Sequence, residues 1–214
     1  MNPQEIRSAI ERLRKASPRP PVFGAGLHQF HLHPSLPESA LAAFEARHQC
    51  RLPVEYRRFL TEVGNGGAGP YYGLFKLGER MDRRSLVRWQ ENDGVVGVLR
   101  APFSHTGPWN DLAGEPTEDD EEDDDFDQRM AAFENRYFSP RHVDGAVPVA
   151  DLGCALGHWL VVSGPEAGNI WCDFRADRSG IFPLSSDGSA RVTFLQWYCG
   201  WLEDALRQLP ASAG

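Results

Sequence analysis

Three histidines, His28, His31 and His33, lie within six residues and are the only clustered imidazoles of the chain. On a strand His31 and His33 would share a face, but a zinc site needs further ligands, and no cysteine or carboxylate lies nearby in sequence. An incidental loop cluster is the reading, with no metal expected. Four cysteines, Cys50, Cys154, Cys172 and Cys199, are scattered without CxxC spacing. Cys154 and Cys172 fall among strand residues and read as small buried hydrophobes. There is no GxSxG elbow to present a nucleophilic serine. Gly64, Gly66, Gly67 and Gly69 could suggest a phosphate cradle. Phosphate loops precede a helix and use its positive end, however, whereas this cluster follows one. Turn and cap is the reading here. Gly24-Ala25-Gly26 lacks the third glycine of a dinucleotide fingerprint. No catalytic constellation emerges, and no cofactor is expected.

The strongest chemical feature is a run of eight consecutive acids: Glu118, Asp119, Asp120, Glu121, Glu122, Asp123, Asp124 and Asp125. Their charge equals the whole formal net charge of −8 of the 214-residue chain, so the remainder is neutral. Such a balance disfavours direct nucleic-acid binding, which needs clustered Lys and Arg against phosphate. It suits a basic protein partner, whose approach the acidic field would accelerate. Part of the run also matches a calcium loop, with Asp123, Asp125 and Asp127 at positions one, three and five and Glu134 at twelve. Gln128 stands where that loop needs glycine for its sharp turn. A solvated loop and a partner-facing arm are the other readings of the segment.

The elements that must carry these residues follow from periodicity. Residues 2–15 form a helix with Ile6, Ile10 and Leu13 on one face, ended by the stiff Ser17-Pro18-Arg19-Pro20-Pro21. Ser35 and Glu38 have capping-box spacing ahead of an apolar run to about residue 49. In residues 52–63, Pro53 suits the first turn, and Tyr56, Phe59, Leu60 and Val63 form an apolar stripe at helical period. Gly64 stands where a left-handed C-terminal residue is expected. Residues 71–75 are rich in aromatics and predict a strand, 82–90 a weak helix, 95–99 a buried strand and 102–117 a loop. Phe126, Met130, Phe133 and Tyr137 recur at helical spacing. Strands are expected at 146–149, 159–162, 170–174 and 181–184, separated by turn-sized gaps that imply an antiparallel meander. Thr193 and Gln196 can cap a closing helix whose aromatic stripe includes Phe194, Trp197, Tyr198 and Trp201. Trp201 is expected in the core, where truncation to alanine costs roughly 3–5 kcal/mol. Helices first, strands clustered later and one closing helix make this an α+β fold.

The run Leu52-Pro53, Tyr56-Arg57, Phe59-Leu60, Asn65-Gly66-Gly67-Ala68-Gly69-Pro70 and Tyr72-Gly73-Leu74-Phe75 resembles the core motif of the Smi/Knr family in the SUKH superfamily. Val147-Pro148-Val149-Ala150-Asp151-Leu152-Gly153-Cys154, Trp159-Leu160-Val161-Val162-Ser163-Gly164, Gly168-Asn169-Ile170-Trp171 and Phe194-Leu195-Gln196-Trp197-Tyr198 extend the resemblance over about residues 36–206. It implies N-terminal helices packed on a largely antiparallel curved sheet with a C-terminal aromatic helix. It carries over no catalytic residue. Leu52, Pro53, Tyr56, Phe59, Asn65, Gly66, Gly67, Gly69, Pro70 and Gly73 read as structural.

Bacterial members of the superfamily mostly resemble immunity proteins, which neutralise toxin domains, often nucleases, of polymorphic toxin systems. The resemblance therefore implies a non-catalytic binding protein whose partner is a basic toxin or nuclease domain. It would dock through the acidic arm, residues 118–125, and a sheet-side groove. A regulatory scaffold for cellular proteins is the second reading. Residues 1–20 are expected as an N-terminal helix and Pro-rich linker. Residues 21–209 are expected as a single domain with an acidic insertion near 115–127. No apolar run reaches the length of about 20 residues needed to span a membrane, and the first fifteen residues lack a signal peptide's apolar centre. A cytoplasmic protein is expected.

Overall fold

A computed structural model describes residues 1–81, 88–89, 94–117, 125–186, 188 and 190–209, with 81, 88 and 89 described through their backbone. The first and last helices begin alike. Asn2 caps α1 (Pro3–Lys15) and Thr193 caps α6 (Phe194–Arg207), each accepting from the third helical amide while Glu5 or Gln196 reaches back to the cap. The amphipathic pattern of α1 buries Ile6, Ala9, Ile10 and Leu13 against α6 and the turn that follows α4. Between them lie α2 (Ala25–His28), α3 (Glu38–His48) and α4 (Val54–Arg58), which widens into a π-helical turn at Phe59–Val63. Phe59, Leu60, Phe194, Tyr198 and Leu202 form the centre of the main core, and all are almost fully buried.

The strands follow as an antiparallel meander. A small ladder pairs β1 (Arg80–Met81) with β2 (Arg88–Trp89), and α5 (Phe126–Tyr137) precedes the main sheet. That sheet has the order β3 (Ala146–Gly153), β4 (Leu156–Val161), β5 (Ile170–Phe174) and β6 (Gly180–Pro183). Its inner face, with Val147, Val149, Leu160 and Ile170, packs on the helices. Its outer face carries a second cluster of Phe103, Val143, Ala146, Val161, Trp171 and Ile181. The fold is therefore the expected α+β arrangement; α5, α6, β5 and β6 lie close to where the periodicity puts them, while β3 continues to Gly153 and β4 begins at Leu156, beyond the expected 146–149 and 159–162.

Several local expectations are corrected. Ser35 does not cap α3: Pro37 occupies the N-cap, and the Leu36 amide is already bonded to the Leu60 carbonyl, 2.8 Å away. Pro53 is likewise the N-cap of α4 rather than a first-turn residue. Gly64 leaves the π turn extended, and the left-handed reversal falls instead at Gly66 and Gly67. At Gly67, φ is +101° and a Cβ would lie 2.3 Å from the His31 carbonyl oxygen, so only glycine fits without a backbone shift.

Residues 71–75 are not a strand, because Tyr71 and Gly73 take positive φ and the Gly73 amide closes a turn on Pro70. Residues 88–89 are extended rather than helical, while 82–87 and 90 lie outside the described residues. Residues 95–99 are irregular. Val95 and Leu99 are buried, but the Val98 amide is taken by the Asp144 carboxylate and its carbonyl by Gly145, leaving no strand ladder. Cys172 is buried as expected, whereas Cys154 is exposed at the β3–β4 turn, where it and Ala155 both have positive φ. Trp201 is only partly buried, and α6 directs Trp197, Tyr198 and Leu202 inward instead.

Candidate protein-interaction surface

A β-bulge decides which side chains reach the surface at the open end of the sheet. Pro148 opposes Trp159 on the outer face, but the register then slips between Pro148 and Ala150. Ala150 therefore opposes inward-facing His158, and Asp151 opposes Gly157. Without the slip, strand alternation would turn Asp151 inward. With it, Asp151, Gly157 and Asp173 form a row across β3, β4 and β5. Gly157 contributes no side chain, so the row has a notch in its middle.

Two cavities meet at this end. The first, about 110 Å³, lies on the outer sheet face between Pro148, Trp159, Phe138, Asp173 and Arg175. The second, about 550 Å³, lies between the sheet end and the α2 region, among His28, His31, His33, Tyr72, Lys76 and Glu79. Phe75 and Asp151 line both, forming the ridge of one groove. Beside it Phe23 packs on Tyr72 (ring centroids 5.2 Å apart) and on Tyr71 (6.3 Å), while remaining 60% exposed. This ledge depends on Gly24, because a Cβ there would overlap the Tyr71 carbonyl.

The charges along the groove differ in how fully they are matched. Arg175 is buried, chelates Asp173 through two bonds (2.6 and 2.7 Å), and donates to the Tyr137 carbonyl. Lys76 and Glu79 are paired at 3.6 Å. Asp151 accepts the Gly153 amide at 2.8 Å, and among the described residues no lysine or arginine pairs with it. His28 adds no positive charge near neutrality, because desolvation pushes it down to about 4. Among the described residues, no group of three His, Cys, Asp or Glu side chains could hold a metal ion. The buried thiols are poor nucleophiles, Cys172 being pushed up to about 12 by burial and by Asp173.

Both edges of the main sheet are covered. Along β3, Phe75 donates to Val149 and Tyr72 to Asp151; along β6, Trp109 and Ile181 exchange two bonds of 2.8 Å. Strand addition at these positions is blocked, so recognition here would proceed through side chains.

The described residues on either side of the acidic run lie near the same end. Residues 118–124 of the sequence-derived site lie outside the described residues, and Asp125 is exposed at the start of α5 with Arg129 3.7 Å away. On the entering side Glu115 pairs with Arg178 of the β5–β6 turn. On the leaving side, the Arg178 guanidinium lies over the rings of Phe133, Tyr137 and Phe138. Four strands at a spacing of about 4.8 Å put these anchors roughly 14 Å from the β3 side of the groove. Asp127 and Glu134 lie within α5, so the calcium-loop reading fails: a helix cannot wrap its ligands around one ion.

Sequence reasoning named the acidic run, whose residues 118–124 lie outside the described residues, and expected a groove on the sheet side. It missed Phe23, Tyr72, Asp151, Trp159 and Arg175 as its lining. The exposed apolar Phe23 in a Gly- and Pro-rich stretch was the available signal; the bulge that turns Asp151 outward had none.

The motif residues surround the helix–turn junction that supports the groove. Leu52, Tyr56 and Phe59 are core, Asn65 accepts the Leu77 amide, and Gly66, Gly67, Gly69, Pro70 and Gly73 carry the chain from the π turn to the ledge. Residues 35–189 match the model of the SMI1 / KNR4 family (SUKH-1). This chain belongs to that family. No curated protein and no solved structure matches it. Among the described residues, no helix is long and apolar enough to cross a membrane.

Proposed function

We propose that this chain is a non-catalytic protein-binding domain, an immunity protein that neutralises a basic toxin domain, such as a nuclease, of a polymorphic toxin system in the cytoplasm. The observation that carries this reading is the convergence at one end of the sheet. A groove with a partly exposed aromatic rim and a carboxylate that pairs with no cation among the described residues shares that end with the anchors of an eight-acid run. Aromatic rims supply contact area at interfaces, and a concentrated negative field speeds encounter with a basic surface. The family membership supports the same class of function.

Co-expression with candidate toxin domains tests it. Protection of the cells, together with a discrete stoichiometric complex of the purified proteins, is expected. Protection against none of them, with binding to several unrelated cellular proteins, would favour the scaffold reading instead.

A further inference from the structure

We propose that the larger cavity receives an arginine side chain of the protein partner, its guanidinium seated on Asp151 and stacked against the Tyr72 ring. This inference rests on the protein-binding reading above and names the chemistry of its anchor. Asp151 lines the cavity, is only partly exposed, and has one carboxylate oxygen held by the Gly153 amide. Lys76 and Arg175 are both engaged with other carboxylates. A half-buried carboxylate with no counter-cation among the described residues attracts one, because the surrounding protein screens less than water does.

Tyr72 stands over the same hairpin tip: a Cβ on Gly153 would lie 3.0 Å from its ring. Phe23 packs against that ring, with centroids 5.2 Å apart. An aromatic face beside a fixed carboxylate suits a planar guanidinium, which stacks and donates in parallel, better than a compact ammonium. Among the described lining residues Lys76 and Glu79 cancel, and Asp151 adds a further negative charge. Charge complementarity therefore points to a basic loop of the partner, which the eight-acid run, anchored at the same end of the sheet, would also attract.

The test is an amide-resolved NMR titration of the full chain with a short oligo-arginine peptide, and in parallel with oligo-lysine. The arginine peptide is expected to shift the Tyr72, Asp151 and Gly153 amides and to bind there more tightly than the lysine peptide. Asp151→Asn keeps the acceptor for the Gly153 amide while removing the charge, and should weaken this binding roughly tenfold. Tyr72→Ala should do the same; because it could loosen the hairpin, Phe23→Ala at the exposed rim serves as a second aromatic variant. Neutralising residues 118–125 should lower overall affinity yet leave the shifts at Tyr72 and Gly153.

Shifts confined to the residues flanking the acidic arm would overturn the proposal. So would equal binding of lysine, or unchanged affinity in Asp151→Asn. Its failure is separable from that of the immunity reading. Toxin protection without hairpin shifts refutes only the arginine site; hairpin shifts without protection refute only the toxin.

Discussion

His158 is 2% exposed and lies between the rings of Tyr71 and Trp197, each 5.3 Å away, with Nδ1 unpartnered. Burial pushes both it and His28 down to about 4, from an ordinary value of 6.5. The unfolded chain therefore binds more protons than the native one between those values, and stability falls as pH drops through that window. His158 should cost about 2 kcal/mol at pH 5 relative to neutrality, and His28, less enclosed and more screened by solvent, somewhat less. Urea unfolding at the two pH values checks the sum, and His158→Phe should remove its share of the slope; an unchanged slope in that variant would contradict the assignment. Tyr198 makes the complementary point for a hydrogen bond. Its buried hydroxyl donates to the Ala68 carbonyl at 2.9 Å, joining α6 to the glycine turn. Tyr198→Phe retains the ring contacts with Phe59 and Phe194 but strands that carbonyl, for an expected loss of about 1–2 kcal/mol in chemical denaturation.

At the scale of the element, the turn after the π helix is the least replaceable piece of the chain. Gly67 pairs with Leu32 and Leu74 on its two sides, so neither neighbour can retreat from an added methyl group. Gly67→Ala should cost about 3 kcal/mol from positive φ and contact with the His31 carbonyl, read as a lowered thermal midpoint. A folded variant of wild-type stability would show that the turn relaxes elsewhere. The β3 bulge belongs to the same scale: one extra residue sets the outward position of Asp151, on which the groove's charge depends.

For the whole molecule, α1 and the acidic arm make opposite predictions. Ile6, Ile10 and Leu13 are almost fully buried in the core shared by α6 and the sheet. Removing residues 1–20 should therefore destabilise the rest severely, and Leu13→Ala alone should cost about 2–5 kcal/mol by denaturation. An undiminished midpoint after the truncation would support residues 21–209 as a self-sufficient domain. Replacing residues 118–125 by Asn and Gln should leave stability nearly unchanged while slowing association with a basic partner and flattening its salt dependence, measured by stopped-flow mixing. An unaltered association rate would remove the arm from the docking step.

What the sequence by itself determined was whatever repeats locally. The helical stripes of α1, α5 and α6, the Thr193–Gln196 cap, the four-strand meander and the eight-acid run were all legible, because period and capping depend on neighbours a few residues apart. The family motif was legible for the related reason that its glycines and aromatics form one ordered run. Tertiary structure alone decided that residues 71–75 turn along an edge, that Val95 and Leu99 are buried without a strand, and that Cys154 faces solvent. It alone brought Phe23, Tyr72 and Asp151 to one hairpin tip. Their meeting depends on a register slip and a glycine-permitted close approach between segments far apart in sequence, and neither leaves a periodic trace.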